Sequence, residues 1–489
     1  MSGSNIQILL ILAAYTVGVM VLGLMSYKKE ANISDYLMAN REFKFFVLFA
    51  AVFGANISAV TLVGLPGTSY HVGWITWPYF ATTWAWLSPL LFYTIGLRTY
   101  KLGKKYDVVT ISELFAKRWR NKSIQWVSAF FLLFYIVPYM MVGIIGGGRS
   151  LAGITGGFVP YWLGCFLVTA IVCGYVLVGG MRGAAWVNTF QTIIFLCGGL
   201  AIFLVIVYSL GGFETATTEI VEKYPELLNR SKMPWQRFFS YGIVVALAVP
   251  VFPNVFSRIL TGKKPSELKK VVMIYPIAGV FLFILMAYSG MWGKIPFPEL
   301  KGQASDAILA MLLNKYAPAW MAGVLGAAIF SALMSTVDSQ LIAIGQIFMK
   351  DVVLPLRKDG QTKKSDTMMT RLVVLALAIV AFLISLTQPA GIIKIIEWGF
   401  GGFACMFFPV AAALYWKRCS LTAAFISVVV SEGLSIIIPL TVPKEMLYGM
   451  LPAFWSIVAG LIVLLVLGLI LPAQKKEETD DFFAAMTVK

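Results

Sequence analysis

The sequence predicts an all-α integral membrane protein with about thirteen transmembrane helices. Apolar residues make up 59% of the 489 residues, charged residues only 13%, and the mean hydropathy is +0.82. A soluble protein of this length could not cover so much apolar surface with so few charges. The apolar runs have the length of helices that cross hydrocarbon, about 20 residues, and they lack the alternation of barrel strands. Because lipid offers the backbone no hydrogen-bond partners, these runs are expected to be helices.

Thirteen apolar runs are separated by mostly short loops. They start near Ile6, Phe46, Trp77, Ile124, Tyr161, Ala185, Phe238, Val272, Ala319, Met369, Ile392, Leu421 and Leu451. An odd number of spans puts the two termini on opposite sides, and the positive-inside rule chooses between the two orientations. With the N-terminus outside, 29 of the 39 Lys and Arg residues lie on the inner side. The sequence therefore predicts an N-out, C-in protein of the plasma (inner) membrane.

The same distribution accounts for the net charge of +16. The basic excess lies in the inner segments, where anionic lipid of the bilayer also attracts it, so no nucleic acid is expected as a partner. The chain is predicted to form one transmembrane domain over residues 1–474. Its expected parts are a first helix with an inner loop (1–45), two repeats (46–210 and 238–416), two peripheral helices (417–473) and a short cytoplasmic tail (474–489).

Two of the predicted spans are interrupted. Residues 53–67 of span two mix Gly, Asn, Ser and Thr and end in Gly-Leu-Pro-Gly, and span seven contains Pro250, Pro253 and Asn254. Irregular backbone is tolerated at membrane depth only where it lines a cavity or faces protein. The breaks are five spans apart, as expected for two inverted five-helix repeats, and paired broken helices indicate the midplane site of a transporter. Ordinary packing of small residues between helices is the alternative explanation.

Span nine carries the most polar stretch of the chain. Ser331, Ser335, Asp338 and Ser339 share one helix face, and Thr336 lies beside Ser335. Sodium is a hard cation that prefers oxygen ligands, so two hydroxyls and the freed carbonyls of a broken helix could form a small neutral cage around it. An aspartate inside a span is by default a hypothesis of function, although inter-helix hydrogen bonding is an alternative role for Asp338.

Other chemistry is limited by composition. The single histidine, His71, and five cysteines without metal-site spacing allow no histidine-based metal site or catalytic triad, so no transition metal and no enzyme activity are expected. Glu432 in span twelve lies outside the proposed ten-helix core and is interpreted as a packing or oligomer-contact residue. An oligomer is compatible with the sequence but is not required by it.

Six short motifs resemble the sodium/solute symporter family, whose members carry proline, pantothenate, monocarboxylates, sugars, sialic acid and iodide. The resemblance extends from about Tyr15 to Leu471. The motifs are, in chain order, Ser34-Asp35-Tyr36-Leu37 with Asn40-Arg41, Ile57-Ser58-Ala59-Val60-Thr61 through Gly67 and Tyr70, Gly179-Gly180-Met181-Arg182-Gly183, Phe252-Pro253-Asn254 with Arg258, 334–341, and 398–409 with Trp416. The resemblance implies a LeuT-type inverted-repeat core and sodium-coupled uptake of a small organic solute by alternating access.

The resemblance also implies particular site residues. The main sodium site would use carbonyls of Gly54, Ile57 and Ala332 and the hydroxyls of Ser335 and Thr336. Members with a second sodium site have an aspartate at the position of Asn188 and hydroxyls at the positions of Asp338 and Ser339. The missing carboxylate favours one sodium ion and a structural Asp338. The alternative is a second ion, with Asp338 replacing the lost charge or pairing with Asn188.

The solute pocket is expected to be aromatic and to carry few charges. Ser58 and Thr61 match positions that contact the solute in some members. The remaining candidates are Trp77, Phe80, Tyr135, Tyr139, Phe252 and Asn254. Sialic acid carriers have an arginine near the position of Ile136, so an amino acid, a short monocarboxylate or pantothenate is expected instead. A proton-coupled carrier that titrates Asp338 or Glu432, a membrane sensor and a channel are the other classes considered; the short tail disfavours a sensor, and the broken helices disfavour a channel.

Overall fold

The computed structural model describes residues 3–25, 38, 41–57, 59–230, 232–357 and 364–486. Within these ranges the chain is helical, and strand pairing is limited to one bridge between Phe43 and Gly262. The helices are α1 Gly3–Met25, α2 Phe45–Asn56, α3 Val60–Val72, α4 76–106, α5 Ile111–Trp119, α6 Lys122–Ile154, α7 Tyr161–Ser209, α8 Phe213–Lys223, α9 Trp235–Val251, α10 Pro253–Ile259, α11 Pro265–Trp292, α12 Ile308–Tyr316, α13 Ala319–Leu356, α14 Lys364–Leu386, α15 Ile392–Tyr415, α16 Leu421–Thr441, α17 Pro452–Ile470 and α18 Lys476–Ala484.

Nine of the described helices are long and apolar enough to cross a membrane, or eleven if each of two bent pairs is one span. The bent pairs are α2 with α3, at 44°, and α9 with α10, at 48°. Both helix breaks expected from the sequence are therefore present. The third predicted span falls in α4, which is not among the eleven. The total of thirteen spans and the N-out orientation stay predictions.

One helix accounts for two of the predicted spans. α7 has 49 residues and would be roughly 73 Å long if straight, more than twice the hydrocarbon thickness of about 30 Å. Gly180 interrupts it with φ 57° and ψ −152°, a conformation that glycine adopts without steric cost. The Gly23 carbonyl lies so close that side chains at Gly179 or Gly183 would meet it at 2.8 or 3.1 Å. The kink therefore divides α7 at a point where the backbone of α1 packs closely.

α13 is the central helix of the structure. In its apolar window 83% of the residues are buried inside the chain, compared with 22% in α1. It packs against α7, α6 and α1, while α9 packs against α15 and α11 against α3. The helices α16 and α17 pair with each other, and their windows are only 39% and 33% buried. This arrangement brings the polar stretch of α13 to the break between α2 and α3.

The short helix α18 docks on the end of α4 and on α5. The Lys105 ammonium is 2.9 Å from the Asp481 carboxylate, and the Tyr106 and Phe482 rings stack with centroids 6.3 Å apart. The guanidinium of Arg118, a buried residue of α5, lies 5.2 Å from the centre of the Phe483 ring. The tail therefore covers the amphipathic α5 and does not extend away from the helices.

Candidate functional site

The first break leaves backbone oxygens without helical partners. α2 ends at Asn56, and Ile57 has φ −107° and ψ 73°, outside the helical region. The last carbonyls of a helix have no intrahelical donor. The carbonyl of Gly54 instead accepts a hydrogen bond of 2.7 Å from the hydroxyl of Ser335 on α13. A side chain at Gly54 would collide with the hydroxyl of Thr192 on α7, so this close approach of α2 requires glycine.

α13 supplies hydroxyl groups on the opposite side of the break. Ser335 and Thr336 are fully buried. The Thr336 hydroxyl accepts a 3.3 Å hydrogen bond from the Ala59 N–H and donates a 3.2 Å bond to the Ala332 carbonyl. Hydrogen bonds thus connect four of the five predicted sodium ligands, Gly54, Ala332, Ser335 and Thr336, to the rim of the break, and Ile57 lies in the break itself. All of these oxygens are uncharged.

The buried carboxylate of Asp338 lies one turn further along α13. Its Oδ1 accepts hydrogen bonds of 3.2 Å from the Asn188 side-chain amide and 3.0 Å from the Ser339 hydroxyl. Its Oδ2 accepts one of 2.9 Å from the Tyr175 hydroxyl. The three residues predicted to concern a second ion, Asn188, Asp338 and Ser339, are therefore in direct contact. Tyr175 is a fourth member of this group that the sequence did not indicate.

Arg258 completes the environment of Asp338. Its Nη2 is 3.7 Å from Asp338 Oδ1, and its Nη1 donates a 2.5 Å hydrogen bond to the carbonyl of Ala51 on α2. Both side chains of the ion pair are essentially unexposed, at 1% and 0%. Arg258 thus links α10, α2 and α13 beside the first break. An arginine inside a span is itself an indication of function, but the sequence did not show its partners.

Several of the predicted solute residues meet in an aromatic cluster, defined here as Phe80, Trp84, Tyr139, Phe252 and Phe400. The ring of Phe252, at the second break, lies 4.6 Å from that of Tyr139 and 5.2 Å from that of Phe400. The Tyr139 and Phe400 rings stack at 5.2 Å, and Trp84 lies 5.0 Å from Phe400 and 6.4 Å from Phe80. All five side chains are fully buried.

Three further predicted solute residues, Tyr135, Trp77 and Asn254, are not members of this cluster. The Tyr135 hydroxyl bonds to Ser435 on α16, and its ring packs against Trp398. Trp77 lines a separate small cavity with Trp74, Tyr288 and Met291. Asn254 accepts a hydrogen bond from the N–H of Val255 at the start of α10.

The remaining two residues predicted to contact the solute are Thr61 and Ser58, whose hydroxyls belong to the first broken helix pair. Thr61 on α3 is fully buried, and its hydroxyl has no hydrogen-bond partner among the described residues. Ser58 lies outside the described residues, as do residues 34–37 and Asn40 of the first motif.

Two members of the aromatic cluster, Trp84 and Phe400, were not among the residues predicted for the solute pocket. Phe400 lies in a glycine-rich segment, 398–403, in which small residues let neighbouring helices approach closely. A side chain at Gly402 would overlap the ring of Tyr135. The combination of glycine and aromatic residues in this segment is the sequence pattern that could have indicated Phe400 as a member of the cluster.

Glu432 on α16 is fully buried, so its side chain does not reach the surface, where an oligomer partner would contact it. Neither carboxylate oxygen has a hydrogen-bond partner among the described residues. Of the two interpretations offered by the sequence, a packing position inside the chain fits this burial.

Paired broken helices around a central polar helix define the class as a membrane transporter. A family model described as the sodium:solute symporter family matches residues 36–431. The chain belongs to this family, and it is a sodium-coupled symporter of a small solute and not an enzyme. The resemblance stated from the six motifs is confirmed.

Two relatives align over nearly the whole chain. The sodium/pantothenate symporter of Haemophilus influenzae is 28% identical, with 94% of this chain and 96% of the relative covered. The osmoregulated proline transporter of Bacillus subtilis is also 28% identical, with 94% of each covered.

Two solved structures share the fold. A sodium-coupled sialic acid symporter in a substrate-bound, outward-open state matches with a TM-score of 0.76 at 18% identity, covering 96% of this chain and 99% of that one. The transporter Mhp1, of the nucleobase-cation-symport-1 family, in a closed conformation matches with a TM-score of 0.59 at 14% identity, covering 92% and 99%. At these identities the likeness concerns the fold alone.

Proposed function

We propose that this protein couples the entry of one sodium ion to the uptake of a small organic solute that carries a carboxylate. The solute would be an amino acid, a short monocarboxylate or a pantothenate-like acid. The family gives the coupling to sodium, and the printed activities of the relatives, pantothenate and proline transport, support this range of solutes. The transport would run into the cell across the plasma membrane, with the N-terminus outside.

The observation that carries the proposal is the junction between the α2–α3 break and α13. The Ser335 hydroxyl and the Gly54 carbonyl belong to different helices and meet at 2.7 Å, and Thr336 contacts the backbone on the far side of the break. Neutral oxygens from two helices suit a monovalent cation, since the ion brings the single charge. Movement of α2 or α13 would separate these oxygens and weaken ion binding. Ion binding would in this way depend on the conformation of the protein.

One ion is favoured over two by the surroundings of Asp338. Its carboxylate already has Arg258 as a counter-ion and three hydrogen-bond donors. A sodium ion there would have to compete with a fixed guanidinium. The contacts of Asp338 therefore support a structural role in a single-sodium transporter better than a role in binding a second sodium ion.

The solute is proposed to bind at the aromatic cluster, next to the second break. Because all five rings are fully buried, a solute reaches them only when α9, α15 and α6 separate, as alternating access requires.

Proton coupling is the second candidate. The buried carboxylate of Glu432, whose oxygens have no partner among the described residues, favours it, since such a group is stable only in its neutral, protonated form. Uptake driven by a pH gradient in the absence of sodium would support this candidate over the first.

The test is uptake of radiolabelled L-proline, pantothenate and lactate into proteoliposomes with and without a sodium gradient. Ser335→Ala with Thr336→Ala should raise the sodium concentration for half-maximal uptake by about tenfold or more, at roughly 1.4 kcal/mol per factor of ten. Ser289→Ala is the matched control, because this buried serine on α11 bonds only to a carbonyl of its own helix. An unchanged sodium requirement in the double variant would show that the ion binds elsewhere.

A further inference from the structure

One charged group lies at the entrance to the aromatic cluster. Arg237 stands near the start of α9, and its Nη2 donates a 2.5 Å hydrogen bond to the carboxylate of Glu397 on α15. The charge distribution of the loops places this end of both helices outside. The guanidinium is 39% exposed and the carboxylate 12%, so Arg237 still presents donor groups to the solution.

The face of α9 that begins at Arg237 leads inward to the second break. Tyr241 follows one turn later, and its ring stacks on that of Tyr79 at 4.0 Å. The Tyr241 hydroxyl also accepts a 3.1 Å hydrogen bond from the indole N–H of Trp84, a member of the aromatic cluster. Phe252 directly follows the last residue of the same helix. A solute that moves inward along this face would therefore leave the polar surroundings of Arg237 and enter apolar, aromatic surroundings.

The charges around this entrance do not cancel. Lys394 precedes Glu397 by one helical turn, and the two residues line the same cavity of about 150 Å³. Neighbours at this spacing face each other on a helix. Two cations thus lie near one carboxylate, Arg237 as its ion-pair partner and Lys394 one helical turn away, and one further monoanion would neutralise the group. If the ion pair between Glu397 and Arg237 breaks, Lys394 is the basic residue with which Glu397 can pair instead.

We propose that Arg237 receives the carboxylate of the solute at the outer entrance, and that Glu397 is its internal competitor and transfers to Lys394 when the solute binds. Arg237 is then a residue that selects for acids, since a guanidinium pairs with a carboxylate through two parallel N–H donors. This inference rests on the proposed uptake of a carboxylate-bearing solute and adds the residue that recognises the carboxylate.

Two roles of the Arg237–Glu397 ion pair can be distinguished by experiment: binding of the solute carboxylate by Arg237, and a gate that only holds α9 and α15 together. If the ion pair only held α9 and α15 together, Arg237→Gln and Glu397→Gln would both open it and would shift the KM for the solute in the same direction. If Arg237 binds the solute, the two variants act in opposite directions. Loss of Arg237 removes the binding group, whereas loss of Glu397 removes the competitor.

The experiment measures sodium-dependent uptake of L-proline, pantothenate and lactate by the full-length protein in proteoliposomes, at saturating sodium. For the probe that is transported, Arg237→Gln should raise KM about tenfold or more, as expected for a lost charge-assisted bond, with little change in maximal rate. Glu397→Gln should lower KM. The amide of the same solute, used as a competitor, should inhibit Arg237→Gln as well as the acid does, although it inhibits the wild type less.

Arg230→Gln is the matched control, because Arg230 is exposed on the same predicted side and does not line the cavity of Lys394 and Glu397. Arg237→Lys keeps the positive charge but not the two parallel donors, so its KM should lie between those of the wild type and Arg237→Gln, and it is the second variant if Arg237→Gln does not fold. A shift of KM in the same direction for Arg237→Gln and Glu397→Gln would overturn the assignment while leaving sodium-driven uptake intact. Absence of sodium-dependent uptake of all three probes in the wild type would refute the proposed function itself.

Discussion

The two helix breaks of this transporter are built from different chemistry. The α2–α3 break meets hydroxyls, an aspartate and an arginine on α13 and α10, whereas the α9–α10 break meets the rings of the aromatic cluster. The first region is held by directional hydrogen bonds, each of which fixes a distance between two helices. The second is held by ring packing, which tolerates small displacements. In the proposed function, the ion would bind where hydrogen bonds fix the geometry, and the solute would bind where ring packing can adjust.

The largest effect is expected where the polar region contains its buried ion pair. Arg258→Met leaves the carboxylate of Asp338 without a counter-ion, and breaking a buried pair in this way costs about 3–5 kcal/mol. The purified variant should therefore unfold at a markedly lower temperature than wild type in a thermal melt in detergent. Arg258→Met combined with Asp338→Asn removes both charges and should recover part of the loss. A single variant as stable as wild type would mean that the pair does not hold the first break.

A smaller effect tests how many ions the polar region accepts. Asn188→Asp adds a second carboxylate beside Asp338, and Arg258 cannot neutralise both. The extra charge creates a place for another cation, so the Hill coefficient of sodium-dependent uptake should rise from about 1 toward 2. The measurement is initial uptake rate against sodium concentration at fixed solute. Asn188→Ser serves as the uncharged control, and a wild-type protein that already shows two ions would contradict the single-ion proposal.

The smallest effects are expected from single hydroxyls of the aromatic region. The Tyr139 hydroxyl is buried without a partner among the described residues, so Tyr139→Phe should leave the thermal stability unchanged. A rise in solute KM in this variant would then report a contact with the solute. Tyr135→Phe is the matched control, because it loses the hydrogen bond to Ser435, worth about 1 kcal/mol, and should leave KM unchanged. A larger KM change for Tyr135→Phe than for Tyr139→Phe would support the predicted contact of Tyr135 with the solute.

Sequence reasoning reached the polar region more completely than the aromatic one, for a physical reason. Proline, glycine and buried hydroxyls act on the backbone close to where they stand, so the breaks and the contact of Ser335 with α2 could be expected from local patterns. The partners of Arg258 and Phe400 come from distant helices, and no local pattern encodes them. Trp77 lines a separate small cavity and the Tyr135 hydroxyl bonds to Ser435, contacts that no local pattern encodes, and the assignment of both residues to the solute site stays a prediction.

The docking of α18 has a consequence for biosynthesis. The contact between Lys105 and Asp481 joins positions 376 residues apart in the chain. At a synthesis rate of about 5–20 residues per second, Asp481 is added to the chain roughly 20–75 s after Lys105. During that time the basic end of α4 and the amphipathic α5 are without the cover that α18 gives them in the folded protein.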